Sequence, residues 1–283
     1  MTDATNLILL GTKGGPRVTG GRANPANVVM VDGEPFVVDC GYGVTRQLIA
    51  ARVLPQQVRK IFITHHHSDH ILELGPLVYN IWAGGVHEPI DVWGPPPLRQ
   101  IIDAFLQSMA YDIDIRVEDE ARVDLRTLVR VHEFEAPAVV HATDRLRISA
   151  AKVSHPPVPH AYAYRFDAHD RSIVLSGDTC WCPDLIAFAR GADVLLHEVM
   201  HLPGIDRLVA RMPQIARLRE HLVAAHTTTA EVGKIAAAAG VKTLVLNHFA
   251  PGDDPAITDD MWCADPRKDF AGTVIAGRDL QVI

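Results

Sequence analysis

One stretch of the sequence indicates both the fold and a site, Ile61-Phe62-Ile63-Thr64-His65-His66-His67-Ser68-Asp69-His70. Its apolar start is typical of a buried strand, and the pattern His-x-His-x-Asp-His then places four metal-ligand side chains within six residues. Burial of these polar groups would be costly unless a cation lay among them. A solvent-exposed histidine cluster is the alternative, but the preceding strand and the interleaved Asp69 argue against it. The stretch therefore predicts a site for more than one metal ion.

An apolar run followed directly by metal-ligand or acid/base side chains occurs at three further places in the chain. These segments are Ile173-Val174-Leu175-Ser176-Gly177-Asp178, Val194-Leu195-Leu196-His197-Glu198 and Leu244-Val245-Leu246-Asn247-His248. In α/β sheets, binding sites form beyond the carboxyl ends of the strands, where the loops converge. We therefore expect all four segments to contribute to one shared site.

The residue types of the candidate ligands indicate which metals the site prefers. Histidine and carboxylate donors suit zinc, manganese or iron and disfavour a thiolate site. Seven donors exceed the needs of one tetrahedral ion and suit two ions, with Asp178 as a bridging carboxylate. Two such ions can share a bridging hydroxide, lower its pKa and stabilise the charge on an attacked ester or phosphoryl centre. The seven predicted ligands are His65, His67, Asp69, His70, His155, Asp178 and His248.

Short β-type runs alternate with helical patterns along the chain, which predicts the α/β class with mixed sheets. We expect one domain over residues 1–283. The clearest helix begins at residues 228–231, Thr-Thr-Ala-Glu, which have the spacing of a capping box, and it ends at Gly240. A second helical pattern, over residues 208–222, is interrupted by Pro213 and is expected to be kinked or split there.

Composition limits the classes of function. The net charge of -7 and the sequence pI of about 6.1 do not show the basic face of a general nucleic-acid binder. Four cysteines in 283 residues do not form a disulfide scaffold and indicate a reducing compartment. Residues 1–6 lack the pattern of a secretory signal, and no stretch has the apolar length of a membrane span. We therefore expect a cytoplasmic protein with no membrane partner.

In the order of its motifs, the chain resembles the metallo-β-lactamase fold superfamily and, within it, the ribonuclease Z and arylsulfatase-like branch. The resemblance implies a four-layer αβ/βα sandwich, in which two mixed β-sheets are flanked by helices and the metals lie at one edge of the sheets. Relatives in this branch are often homodimers. The matching segments cover nearly the whole chain: Leu10-Gly11-Thr12, Val38-Asp39-Cys40-Gly41, His65 to His70, His155, Tyr164-Arg165, Ser176-Gly177-Asp178-Thr179, His197-Glu198, His226-Thr227-Thr228 and His248.

The resemblance also implies roles for individual residues. Asp69 would orient or deprotonate the bridging water as well as bind metal. Glu198 and His226 match the pair that passes a proton to the leaving group in the ribonuclease Z branch. Asp39 would be a structural carboxylate behind the site, although a turn or strand-end cap fits it equally well. The ligands divide between two ions that share Asp178, with His65, His67 and His155 on one ion and Asp69, His70 and His248 on the other.

Some assignments stay open at this point. His160 lies five residues after His155 and is the alternative ligand in that segment. Several aromatic and arginine side chains near the ligand segments could stack on an aryl group or nucleobase, or meet an anion, although each is also typical of core or surface. The predicted pocket residues are Tyr79, Trp82, Arg165, Trp181 and Phe249.

The chain departs from the tRNA-processing members of the branch at one place. They carry a long flexible arm for gripping tRNA between the segments that match Tyr164-Arg165 and Gly177-Asp178. Here residues 166–175 are enough only for a hairpin, with Asp167-Ala168-His169-Asp170 as its turn. Together with the net negative charge, this departure makes nucleic acid an unexpected substrate.

These observations together predict a hydrolase with two divalent metal ions, most simply zinc, although manganese or iron would also suit the ligands. The expected substrate is a small-molecule ester, namely a phosphodiester, an aryl sulfate or a carboxylic ester. Lactonase activity and ribonuclease Z-like tRNA 3′ endonuclease activity are the hydrolytic alternatives. An iron-bound redox or sensing module is the non-hydrolytic alternative, because this fold also hosts oxygen chemistry on iron.

Overall fold

The computed structural model describes residues 4–283, so residues 1–3 of the N-terminal segment considered above lie outside the described part. Two mixed β-sheets pack face to face. The first sheet has six strands in sequence order: β1 (Asn6–Gly11), β2 (Ala26–Val31), β3 (Glu34–Val38), β4 (Lys60–Phe62), β5 (Ile90–Gly94) and β6 (Val129–Glu133). The second sheet has seven neighbouring strands in sequence order: β7 (Ala138–Ala142), β8 (Leu146–Lys152), β9 (Tyr162–Ala168), β10 (Ser172–Leu175), β11 (Val194–Met200), β12 (Thr243–Ala250) and β13 (Thr273–Ala276).

Each sheet changes from antiparallel to parallel pairing part-way across. In the first sheet the pairs from β1 to β3 are antiparallel and those from β3 to β6 are parallel. In the second sheet the pairs from β7 to β10 are antiparallel and those from β10 to β13 are parallel. The strands that carry the ligand segments, β4, β10, β11 and β12, all lie in the parallel parts. Their carboxyl ends therefore meet at one edge of the sandwich.

Helices cover the outer faces of both sheets. Six lie on the side of the first sheet: α1 (Val44–Ala50), α2 (Ser68–Ile71), α3 (Leu74–Ala83), α4 (Leu98–Ser108), α5 (Ala110–Asp119) and α6 (Leu125–Leu128), with a 3-10 turn at Pro55–Gln57. The remaining six are α7 (Pro183–Phe188), α8 (Leu202–Ala210), α9 (Leu218–Ala225), α10 (Thr229–Ala239), α11 (Asp259–Ala264) and α12 (Pro266–Asp269).

Three large hydrophobic cores hold these layers together. The central core lies between the two sheets and includes Phe36, Phe62 and Phe166, whose rings pack within 6.5 Å of one another. A second core joins the first sheet to helices such as α3, through residues that include Ile81. A third joins the second sheet to α7, α10 and α11, through residues that include Ile235. The order helix, sheet, sheet, helix confirms the predicted four-layer sandwich.

Local predictions from the sequence are also confirmed. The backbone N–H of Thr228 donates to the Glu231 carboxylate at 2.9 Å, closing the predicted capping box, and α10 ends at Gly240 in the left-handed conformation. The helical pattern that contains Pro213 is split into α8 and α9. Strands β9 and β10 pair directly, with Ser172 opposite Asp167, which confirms the hairpin, although β9 continues through Ala168 and the turn is therefore shorter than predicted.

Helices α8 and α9 stand apart from the three large cores. They pack on the sandwich through a small separate cluster in which Met200, Ile205 and Ala250 are buried. Partly buried side chains of the two helices, including Leu208 and Leu222, complete this cluster. The two helices therefore lie beside the sheet edge at which the ligand segments meet. Among the described residues, no helix has both the length and the apolar character needed to cross a membrane.

Candidate metal centre and cavity

The structure brings the seven predicted ligands together in two groups. In the first, donor atoms of His65, His67, His155 and Asp178 all lie within 4.8 Å of one another. In the second, donor atoms of Asp69, His70 and His248 meet the same limit. His160 belongs to neither group, whereas His155 is buried and its Nε2 lies 3.8 Å from Asp178 Oδ2. The geometry thus favours His155 over His160.

Asp178 lies between the two groups. Its Oδ2 atom is 3.8 Å from His65 Nε2 in the first group. The same atom is 3.3 Å from His70 Nε2 and 3.1 Å from His248 Nε2 in the second. One carboxylate oxygen therefore approaches ring nitrogens of both groups, which places Asp178 where it could be shared between two cations.

Backbone geometry at the strand ends aims these side chains at one point. The pairing of β11 with β12 shifts between Glu198 and Val199, which leaves His248 as an extra residue with a φ of 43°. Such a bulge redirects a side chain next to a site. Gly177 has a φ of 60°, and a Cβ there would lie 2.6 Å from the carbonyl oxygen of Tyr162, so only glycine fits the turn before Asp178.

The donor set fits a bound cation. Several buried donor atoms have no hydrogen-bond partner, among them His65 Nε2, His70 Nε2 and Asp178 Oδ1. Polar atoms are not normally left in this state in a protein interior. Although burial disfavours the charged ring, the Asp178 carboxylate, 3.1 Å away, raises the pKa of His248 to about 10. The carboxylates thus require positive charge at this place, and these residues can supply the nitrogen and oxygen ligands of a divalent metal.

Residues behind the ligands hold them in position. Asp39 accepts hydrogen bonds from the backbone N–H of Thr64 at 2.8 Å and from Nδ1 of His70 at 2.8 Å. It therefore fixes the ring of His70 with Nε2 turned toward Asp178, as expected for a carboxylate that supports a ligating histidine. On the other side, the backbone N–H of Gly15 donates to Asp69 Oδ2 at 2.8 Å.

Gly14 lies against the ring of His248, and its substitution tests how tightly that ring is held. A Cβ at position 14 would lie 2.7 Å from both Cε1 and Nδ1 of His248, so Gly14→Ala must displace the ring or the loop. We expect turnover to fall roughly tenfold to a hundredfold, because small misplacements of reacting groups have effects of that size. Gly20→Ala is the control, since nothing lies within 4 Å of its added Cβ. Equal activity of the two variants would show that the contact does not position His248.

Glu198 and His226 form a buried pair beside the two groups. Nδ1 of His226 donates to Glu198 Oε1 at 2.9 Å, and the backbone N–H of Thr179 donates to the same oxygen at 2.9 Å. Burial opposes the charged ring, but the Glu198 carboxylate outweighs it and raises the pKa of His226. A donor atom of His226 also lies within 4.8 Å of those of Asp178 and His248. The imidazolium can therefore present an N–H next to the candidate ligands.

A cavity of about 340 Å³ opens directly over this centre. Its floor includes His67, Asp69 and Asp178. One wall is the loop from Lys13 to Arg17, and the opposite wall is formed by α8, α9 and the segment between them. This volume lies within the range of small-molecule sites.

The amino-acid sequence is similar to one protein family and to individual proteins named ribonuclease Z. The sequence model of the family described as anti-Pycsar protein Apyc1 matches residues 5–230. Ribonuclease Z of Mycobacterium bovis (strain BCG / Pasteur 1173P2) is 33% identical over 278 residues, which cover 97% of this chain and 96% of that protein. The chain therefore belongs to the Apyc1 family, in the ribonuclease Z-like branch of the metallo-β-lactamase fold. It is a metal-dependent hydrolase.

Solved structures share this fold over nearly the full length of the chain. The metallo-β-lactamase fold protein YhfI from Bacillus subtilis has a TM-score of 0.73 at 22% identity, with 99% of each chain covered. The short form of human tRNase Z has a TM-score of 0.72 at 22% identity, with 98% of each chain covered. At this level of identity the two structures support the metallo-β-lactamase fold and not a substrate.

The five side chains predicted to line the pocket lie elsewhere, although all belong to the described part of the chain. The hydroxyl of Tyr79 donates a hydrogen bond to the Asp112 carboxylate, and the indole N–H of Trp82 donates to the carbonyl of Val123 at 2.8 Å. Both are held where α3 faces other helices, away from the centre.

The other three are held away from the cavity in different ways. Phe249 is fully buried and packs against Trp262, because its side chain points to the opposite face of β12 from the site. Arg165 is engaged by Asp167 and by the carbonyl oxygens of Phe188 and Arg190. Trp181 is 41% exposed and is not part of the lining.

Proposed function

We propose that this enzyme hydrolyses small phosphodiesters and holds two divalent metal ions, most simply zinc. One ion would be held by His65, His67 and His155, and the other by Asp69, His70 and His248, with Asp178 shared between them. The bound ions would supply Lewis acidity and an activated water. The observation that carries the proposal is the Glu198 and His226 pair, because a histidine that is hydrogen-bonded to a carboxylate and lies beside the ligands suits a reaction whose leaving alcohol needs a proton.

The protein residues have defined tasks in this reaction. Water adds its oxygen to phosphorus, the bond from phosphorus to the alcohol oxygen breaks, and His226 gives its proton to that oxygen. The products are a phosphomonoester and an alcohol. The attacking water loses one proton and His226 gives one, so no net proton is gained or lost once His226 is protonated again. Glu198 keeps Nδ1 of His226 as the hydrogen-bonded donor, so the proton that can be transferred is the one on Nε2.

The size and charge of the site support a small substrate. The cavity holds about 340 Å³, and residues 166–175 form only the hairpin of β9 and β10. The arginines near the cavity are largely engaged within the protein. Arg207 pairs with Asp254 at 2.8 Å and Arg219 with Asp206 at 2.7 Å. Arginines that are already paired with carboxylates contribute little to the affinity for a polyanion such as a nucleic acid.

Ribonuclease Z-like activity is the second candidate, because a protein named ribonuclease Z is 33% identical to this chain over 97% of its length. A screen of aryl phosphodiesters, aryl sulfates, lactones and a precursor tRNA separates the candidates. We expect turnover of aryl phosphodiesters that is lost in Asp69→Ala. Preferential turnover of lactones or sulfates would overturn the phosphodiester proposal and retain the hydrolase.

We expect a precursor tRNA with a 3′ trailer to be processed poorly. The described residues contain no gripping arm, and turnover of a small aryl diester should respond only weakly to salt because it releases few counterions. The measurement is cleavage of the trailer at catalytic enzyme concentration, with Asp69→Ala as control. Site-specific cleavage that is lost in the control would promote the ribonuclease alternative.

A further inference from the structure

The wall made by α8 and α9 has an apolar surface that the sandwich does not use. Ile205, Leu208 and Leu222 pack in the small cluster around Met200, whereas Met212, Ile215 and Leu218 belong to none of the hydrophobic clusters of the described residues. Leu208, Leu218 and Leu222 are half-buried, and Ile215 is 42% exposed. This surface therefore remains available to a ligand in the cavity. The six side chains of the wall are Ile205, Leu208, Met212, Ile215, Leu218 and Leu222.

The apolar wall is joined directly to the predicted proton donor. His226 follows the end of α9, and its backbone N–H donates to the carbonyl of Leu222 at 3.2 Å. The carbonyl of Ala225 is hydrogen-bonded to Nδ1 of His155 at 2.9 Å, which ties the end of α9 to the metal centre. His226 and Leu222 both line the cavity, so a group that receives its proton from His226 lies in the same cavity as this wall.

The opposite wall differs in charge but offers little to a second phosphate. Lys13 Nζ donates to the carbonyl oxygens of Gly14 and Gly15 at 3.0 and 3.1 Å. Arg17 pairs with Asp253 at 2.7 Å, and Asp253 itself lines the cavity. Lys13 and Arg17 are the two lysine or arginine side chains in the described lining, and both already bind groups of the protein. The cavity suits a diester with one negative charge better than a polyphosphate.

We propose that the wall of α8 and α9 is the subsite of the leaving alcohol, and that this alcohol is apolar, either aromatic or branched aliphatic. The proposal rests on the proposed phosphodiesterase function, whose reaction defines which alcohol leaves. The phosphoryl group lies over the metal ligands, and the leaving alcohol extends from it along Leu222 and Leu208. The non-leaving group faces away from this wall.

Two pairs of substrates test this assignment. In the first pair, methyl aryl phosphates release phenols of matched acidity that carry a para tert-butyl or a para hydroxymethyl group. In the second pair, the same substituents are placed on a non-leaving benzyl group, and p-nitrophenol is released from both. The wild-type enzyme should prefer tert-butyl over hydroxymethyl by roughly tenfold or more in kcat/KM in the first pair, as expected for apolar groups in an apolar site. It should show no such preference in the second pair.

Variants of the wall should remove the preference. Leu208→Gln and Leu222→Gln keep side-chain length and helix propensity, and Met212→Gln lies outside both helices and so does not depend on their stability. We expect each to reduce the tert-butyl preference in the first pair several-fold and to leave the ratio in the second pair unchanged. Val223→Gln is the matched control, because Val223 is 39% exposed on α9 and does not line the cavity.

The outcomes separate failure of the phosphodiesterase function from failure of the leaving-group subsite. If the wild-type enzyme hydrolyses no phosphodiester of either pair, the proposed function fails and the leaving-group subsite fails with it. If it hydrolyses them without preference in the first pair, or if the preference survives all three wall variants, only the subsite assignment is overturned. A preference in the second pair that the wall variants abolish would place the non-leaving group on this wall instead. Thermal unfolding and metal content of each variant verify that it is folded and loaded.

Discussion

Replacing Asp178 by alanine is expected to remove both metal ions from the protein or to leave one weakly bound. The physical reason is the position of its Oδ2 atom, 3.8 Å from His65 Nε2 and 3.1 Å from His248 Nε2. Two cations held in a buried site repel each other unless a carboxylate between them offsets charge on both. Asp69, the other carboxylate of the two groups, lies 3.7 Å from His70 Nε2 and 3.4 Å from His248 Nε2, and both histidines belong to the second group.

The metal stoichiometry of purified protein, measured by elemental analysis, gives the result directly. Asp178→Asn keeps the volume of the side chain and removes its charge, so it separates loss of the bridge from damage to packing. His155→Ala should mainly weaken one ion, because His155 belongs to only one group. His160→Ala is the control and should retain the wild-type stoichiometry, since His160 lies outside both groups. An unchanged stoichiometry in Asp178→Ala would disprove the bridging assignment.

The sequence was sufficient to bring the candidate metal ligands to one place, because these residues follow strands directly. A residue just after a buried parallel strand has little freedom in where it lies, so His65 and Asp178 could be placed at one sheet edge from their neighbours alone. The capping box at Thr228 was equally local and was correctly predicted.

The substrate pocket could not be predicted in the same way. Aromatic residues near a ligand segment in the sequence are candidates for the lining of the cavity. Which side of their helix or strand faces the cavity, however, depends on tertiary packing. Trp82 and Phe249 turn into cores instead. The true wall carries a pattern, residues 208–222, that periodicity identifies only as an apolar helix stripe. Periodicity cannot say whether such a stripe meets a core or a cavity, so the wall emerged only from the three-dimensional arrangement.

Replacing His226 by alanine should slow substrates with poor leaving groups by roughly 10²–10⁴, the usual contribution of general acid catalysis. Activated nitrophenyl esters should be spared, because nitrophenolate departs without a proton. The structure gives the reason: Nδ1 of His226 is committed to Glu198 at 2.9 Å, and the carboxylate raises the pKa of the ring against the effect of burial. The raised pKa favours the protonated ring, and the proton that can be given away is the one on Nε2, because Nδ1 is engaged by Glu198.

The test is the dependence of kcat/KM on the acidity of the leaving phenol in a series of aryl phosphodiesters. The slope should become much steeper in His226→Ala and, through loss of the hydrogen-bonded carboxylate, also in Glu198→Gln. His221→Ala is the matched control, since His221 also lines the cavity but burial, together with the charge of His226, lowers its pKa. A uniform loss across the series in His226→Ala would mean that the ring positions the substrate or the fold and transfers no proton. Only a loss that grows with the pKa of the leaving phenol identifies His226 as the acid, because that dependence measures the charge left on the departing oxygen.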